Sequence, residues 1–213
     1  MDQMSRRGEI GLTRAVKAVP FLVLALALGS VLCLPARQAH AFGMGLYGSA
    51  GTGDVEVDDQ DFGGTLDLES MTMFEGGLVV DTNLSEDDEW NWRIKVGVET
   101  GFNDDYDFLG GVLDNTLGWG FVRTPDYRFW VGTTLRMSGQ EVHGPDDWSQ
   151  SSSVFAIGPA VGGNWNVGRL VTLGLEAGYL KSLSSDFDQD KLYVALMMLL
   201  RFENITGETD TFF

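Results

Sequence analysis

Trp90-Asn91-Trp92-Arg93-Ile94-Lys95-Val96-Gly97-Val98-Glu99-Thr100-Gly101-Phe102 alternates two kinds of residue almost without a break. Trp90, Trp92, Ile94, Val96, Val98 and Phe102 share one parity, and Asn91, Arg93, Lys95, Gly97, Glu99 and Gly101 share the other. A period of two puts these sets on opposite faces of a β-strand, whereas a helix would scatter them around its circumference. One face suits hydrocarbon and the other carries ions, so the stretch reads as a strand between two unlike surroundings.

The pattern recurs along the chain. Tyr127, Phe129, Val131, Leu135 and Met137 oppose Arg128, Thr134 and Arg136. Val171, Leu173, Leu175, Ala177 and Tyr179 oppose Thr172, Gly174, Glu176 and Gly178. Phe155, Ile157, Val161 and Trp165 oppose small residues and Asn164. Less regular strands are expected over Phe42 to about Val57, Thr72 to Val80, Leu113 to Phe121 and Leu192 to Phe202, which makes eight. Short turns are expected at 83–89, 124–126 and 166–169, and longer loops rich in Asp, Gly and Ser at 58–70, 103–111, 139–152 and 182–190. Short turns at one end and long loops at the other are the pattern of outer-membrane barrels, with the short turns and both termini in the periplasm.

Aromatic residues supply an independent test. Phe42, Trp90, Trp92, Trp119, Phe121, Tyr127, Phe129, Trp165 and Phe202 fall at the short-turn end, and Phe74, Phe102, Phe155 and Tyr179 at the other, all on the apolar parity. Trp92 to Phe102 is ten residues, roughly 33 Å of strand, which a tilt of about 40° projects to roughly 25 Å, the height of a barrel's apolar band. The expected fold is therefore all-β: an eight-stranded antiparallel up-and-down transmembrane β-barrel.

Upstream of the strands, Arg6, Arg7, Arg14 and Lys17 precede an apolar run from Ala18 to Leu34, then Pro35 and Ala39-His40-Ala41. This is the layout of a secretory signal peptide over 1–41, too short in its apolar part for a spanning helix of about 20 residues. The leader takes Cys33 with it, leaving a barrel over 42–202 and a tail over 203–213 without cysteine, hence without disulfide or thiolate chemistry. It also removes five basic residues and two acidic ones, so the net charge of −17 for the whole chain becomes −20. So acidic a surface repels phosphate backbones and excludes nucleic acid as a partner.

If the apolar parity faces lipid, the lumen receives Glu75, Arg93, Lys95, Glu99, Asp114, Arg128, Arg136, Glu176 and Arg201. Eight strands enclose about enough room for side chains alone, so nearly balanced charges imply a paired network, with a narrow ion path as the alternative. The remaining acid clusters in the loops: Asp54, Glu56, Asp58, Asp59 and Asp61; Asp104, Asp105 and Asp107; Asp146 and Asp147; Asp186, Asp188 and Asp190. Such carboxylates can collect divalent cations near lipid headgroups, or form a solvated, self-repelling surface. Asp186-x-Asp188-x-Asp190 is not an EF-hand, because Lys191 replaces the glycine and Met197 the closing glutamate.

No cofactor, metal or catalytic site is expected. After the leader, His143 is the one histidine, and a Ser-His-Asp site drawn through Asp146 and Ser149 lacks any element to hold its geometry. The series Gly43, Gly45, Gly48, Gly51, Gly53 lacks the helix and lysine of a phosphate loop and reads as glycines giving close strand packing. Asn204-Ile205-Thr206 matches a glycosylation sequon, which carries no information in a bacterium.

The glycine-rich first strand Gly43 to Gly48 and the last strand Tyr193 to Phe202 resemble the small outer-membrane barrels of the OmpX, OmpW and opacity type. The resemblance implies a cell outer membrane location, contact with lipid and lipopolysaccharide, and a C-terminal aromatic read by the barrel assembly machinery. Phe202 fits that signal, with Phe213 as the other candidate. It further implies a non-enzymatic structural or surface-interaction role, with passage of ions or small apolar molecules as the alternative. Lipid A-modifying barrels need a histidine beside a serine on the wall, which His143-Gly144-Pro145 matches poorly.

Overall fold

The computed structural model describes residues 41–59, 64–82, 89–145, 148–183 and 187–203. The expected leader, apart from Ala41, and the tail beyond Glu203 lie outside the described residues.

The eight strands are β1 (Ala41–Asp59), β2 (Gly64–Thr82), β3 (Trp90–Phe102), β4 (Asp107–Arg123), β5 (Tyr127–His143), β6 (Ser149–Val167), β7 (Val171–Ser182) and β8 (Phe187–Glu203). Each pairs antiparallel with the next, and β8 returns to β1, closing the barrel. Closure leaves no open sheet edge around the wall, the condition for crossing hydrocarbon with strands. The end where β1 starts and β8 finishes is called the lower end below.

Parity sorts the residues as the sequence implies. Leu46, Leu78, Leu117, Leu135, Leu173 and Leu196 stand exposed on the outside, while Arg93, Lys95, Glu99 and Glu176 are buried inside. The aromatic residues gather at both rims of this apolar band. Phe42 stacks on Phe202 at 5.0 Å and Phe129 meets Trp165 edge-on at 5.7 Å below, while Phe74 stacks on Phe102 at 6.1 Å above.

The expected long loops are not loops. Strands run through most of 58–70, 103–111, 139–152 and 182–190, so that only 103–106 separates β3 from β4 and 144–148 separates β5 from β6. Alternation persists there with its polarity reversed. Val55, Leu68, Met71, Phe108, Val142 and Val154 are buried inside, whereas Asp54, Glu56, Asp67, Asp107, Glu141, His143 and Ser151 are exposed outside. Above the upper aromatic rim the barrel thus has the polarity of a soluble protein, with an apolar core against which Tyr106 and Trp148 pack. Polar outward residues in these stretches imitate loop composition.

Two irregularities adjust the ladder. β2 takes one extra residue opposite Gly53/Val55, around Ser70 with φ of 58°, and the Ser70 N–H donates to Asp54 Oδ1 at 2.9 Å. β4 takes the other between Gly120 and Val122. Such bulges raise local twist.

Close strand approach requires glycine at some wall positions and not at others. A Cβ on Gly45 would lie 1.8 Å from Met198 O, but one on Gly111 meets nothing within 4 Å. Gly45→Ala is therefore expected to destabilise the refolded barrel by about 1–3 kcal/mol, as overpacking does. Gly111→Ala should change it by no more than about 0.5 kcal/mol. Urea titration followed by the folded-to-unfolded shift on cold gels measures both.

Candidate functional site in the lumen

Inward charges from six strands meet in one connected belt. At its lower end Arg93 on β3 donates through Nε at 2.9 Å and through Nη2 to Asp81 on β2. The same guanidinium reaches Glu176 Oε2 on β7 at 2.7 Å and Asn164 Oδ1 on β6 at 2.9 Å. Lys95 Nζ donates to Glu176 Oε1 at 2.8 Å and stands 3.2 Å from Asp114 on β4. Arg136 on β5 grips Asp114 through Nε at 2.7 Å and Nη2 at 2.9 Å, Glu99 at 3.0 Å and Glu75 at 2.5 Å. Lys191 on β8 closes the upper end on Glu75 at 3.0 Å and Glu99 at 2.5 Å.

Neutral side chains tie in the rest. The Tyr47 hydroxyl on β1 donates to Glu75 Oε1 at 2.6 Å and the Tyr193 hydroxyl to Glu176 Oε1 at 2.8 Å, so every strand contributes to the belt or touches it. Cations also lie over rings: Arg93 over Trp130 at 5.0 Å, and Lys95 over Tyr193 at 5.0 Å. Ring faces attract cations most where water is excluded.

Seven of the nine lumen charges named from parity, Glu75, Arg93, Lys95, Glu99, Asp114, Arg136 and Glu176, enter the belt. Arg128 is buried lower down, where its Nη2 donates to Glu89 O at 2.9 Å, and Arg201 is half-buried at the lower end. Sequence reasoning missed Asp81 and Lys191. Each sits one residue beyond an expected strand end, and continuing the alternation through Val80 and Leu192 would have found both. Trp130 shares the parity of Arg128, which turns its ring inward despite its rim position.

The other singled-out residues lie on the upper exterior. His143 stands opposite Ser149 in register, with Asp107 Oδ1 at 3.4 Å from its Nδ1 and Glu141 at 3.8 Å from its Nε2, all exposed. Asp61, Asp146, Asp147 and Asp186 lie outside the described residues, as do the side chains of Asp58 and Asp59. Asp190 accepts from Tyr179 at 2.6 Å and from the Ser182 N–H at 3.2 Å, which fixes it as part of the wall rather than of a loop. Among the described residues no group of three or more His, Asp, Glu or Cys is placed to hold a metal ion.

The closed eight-stranded barrel has counterparts among solved structures. Neisserial surface protein A aligns with a TM-score of 0.53 at 12% identity, covering 77% of this chain and 99% of that one. The outer membrane protein OprG from Pseudomonas aeruginosa aligns with a TM-score of 0.51 at 10% identity, covering 78% and 97%. The fold is that of the small eight-stranded outer-membrane barrels. No known family's sequence pattern matches the chain, and no curated protein matches it in sequence. Identities this low carry architecture and leave ligands and activities with the proteins compared.

Breaking a buried pair strands a desolvated charge, which costs about 3–5 kcal/mol. Arg136→Met leaves three carboxylates short of a partner and is expected to lower unfolding stability by about that amount. The exposed Arg123–Glu89 pair at 3.6 Å is worth at most about 1 kcal/mol, and Arg123→Ala serves as the reference. Equal losses in the two variants, read by urea titration in detergent, would mean that the belt contributes no more than a surface contact.

Proposed function

We propose that the protein is a non-enzymatic barrel of the outer membrane of a Gram-negative bacterium, closed to solutes, whose wall supports the envelope and whose acidic upper extension contacts the exterior. The observation that carries this reading is the continuous ion-pair belt, since a lumen crossed by mutually neutralising side chains offers a solute neither width nor a binding site. Above the belt, buried Val55, Leu68, Phe108, Val142 and Val154 add a second obstruction.

Its partners, on this reading, are outer-membrane lipid and lipopolysaccharide around the band and the barrel assembly machinery during insertion. The outward position of Phe202 on β8, with Leu196, Met198 and Leu200 outward at two-residue steps before it, supports that part of the reading. Asp54, Glu56, Asp67, Asp107 and Glu141 give the exterior of the extension its negative charge, which suits cationic partners, divalent ions included, and disfavours polyanions.

Conduction is the competing role. Gln140 is buried with neither side-chain polar atom hydrogen-bonded, a feature a hydrated path would explain. Purified protein in planar bilayers is expected to give no discrete current steps, and reproducible single-channel steps would overturn the closed-barrel reading. Fractionation with outer membranes, together with heat-modifiable gel migration, is the expected result for location.

A further inference from the structure

Two glycines lie side by side on the outer wall where their neighbours carry large apolar side chains. Gly48 pairs with Gly76, and the row continues to Leu196 on one side and Val98 on the other. One row up, Ala50 pairs with Phe74. One row down, Leu46 pairs with Leu78, and both stand proud at 59% exposure. The result is a furrow of about 630 Å³ with Gly48, Gly76 and Ala50 as its floor and Leu196, Val98 and Phe74 as its flanks.

The barrel does not need these glycines for its own packing. A Cβ at Gly48 would have its nearest neighbour, Glu75 O, at 4.0 Å, and one at Gly76 would have Tyr47 O at 3.6 Å, both ordinary contacts. At Gly77, one residue on, a Cβ would fall 2.1 Å from Val96 O. Gly77 is thus required by strand approach, while Gly48 and Gly76 leave a space that none of the described residues occupies.

We infer that the furrow seats one acyl chain of a bilayer lipid, a proposal that rests on the membrane reading above. Three features select this occupant. The furrow is continuous with the apolar band and lies between its mid-height leucines and the Phe74–Phe102 rim, so it opens on the leaflet nearer the upper rim. Its flanking strands, β8 and β3, stand three strand spacings or roughly 14 Å apart, and the side chains of Leu196 and Val98 narrow this to a width that fits an unbranched chain lying along the wall. A second copy docked furrow to furrow would leave a void, whereas a flexible chain fills the space and restores dispersion contacts to its lining.

The test is nuclear magnetic resonance of the full mature chain, deuterated, in nanodiscs of protonated dimyristoyl phosphatidylcholine. Expected are nuclear Overhauser contacts from chain methylenes to the Gly48 and Gly76 amides, and their loss in Gly76→Leu, with contacts at the Leu117 and Leu135 wall unchanged. The spacing above leaves room for Gly76→Leu to fold, and Gly48→Leu provides a second filling of the same space. Contacts at Leu117 and Leu135 with none at Gly48 or Gly76 would overturn the furrow proposal while leaving the membrane reading intact. So would contacts to a second copy in a mixed-label sample. Absence of acyl contacts anywhere on the wall would overturn both readings.

Discussion

A closed ladder of eight strands encloses a space that side chains fill, and ions placed there must be neutralised by one another because water has little room to solvate them. That constraint organises the lumen. Arg136 satisfies three carboxylates from three strands, Glu176 is shared by Arg93 and Lys95, and Lys191 bridges Glu75 and Glu99. Removing ions from water is unfavourable, and many partners are needed to offset it, which is why the belt is a network rather than a set of isolated pairs. The same parity that sends these charges inward leaves the opposite face free to be uniformly apolar.

What each face meets, however, changes with height. Between the aromatic rims the outside is apolar and the inside combines the ion belt with buried Tyr47, Val79, Met197 and Leu199; above the upper rim Val142 and Val154 turn inward while Glu141 and Ser153 turn outward. The two regimes share the same continuous strands. Strand geometry imposes only the alternation, and the solvent on the outside decides which parity is greasy.

This reversal explains where the sequence was legible and where it misled. Within the band, one rule assigned Trp90 to Phe102 and Val171 to Tyr179 correctly, down to the residues of the belt. Above it, Asp54, Asp107, Glu141 and the serines at 149–153 carry the composition of turns, although Val55, Phe108, Val142 and Val154 continue the period of two with the apolar set moved to the other face. Asp81 and Lys191 were lost for a related reason: each adjoins Asp-rich or turn-like sequence at a strand end. The furrow at Gly48 and Gly76 could not be separated from the tight-packing glycines by sequence, because the difference lies in which neighbouring carbonyl each Cβ would strike.

The Lys191 contacts bear on the order of assembly. Lys191 on β8 and Glu75 on β2 are separated by 116 positions in the chain and flank β1 on either side. Their pairing requires the seam between first and last strands to be joined already. Until then the upper part of the belt lacks its last cation, and Glu75 and Glu99 remain underneutralised beside an open cleft. Zipping of the seam and completion of the internal ion network are therefore one cooperative step, and a half-inserted sheet gains little of the stability of the closed one.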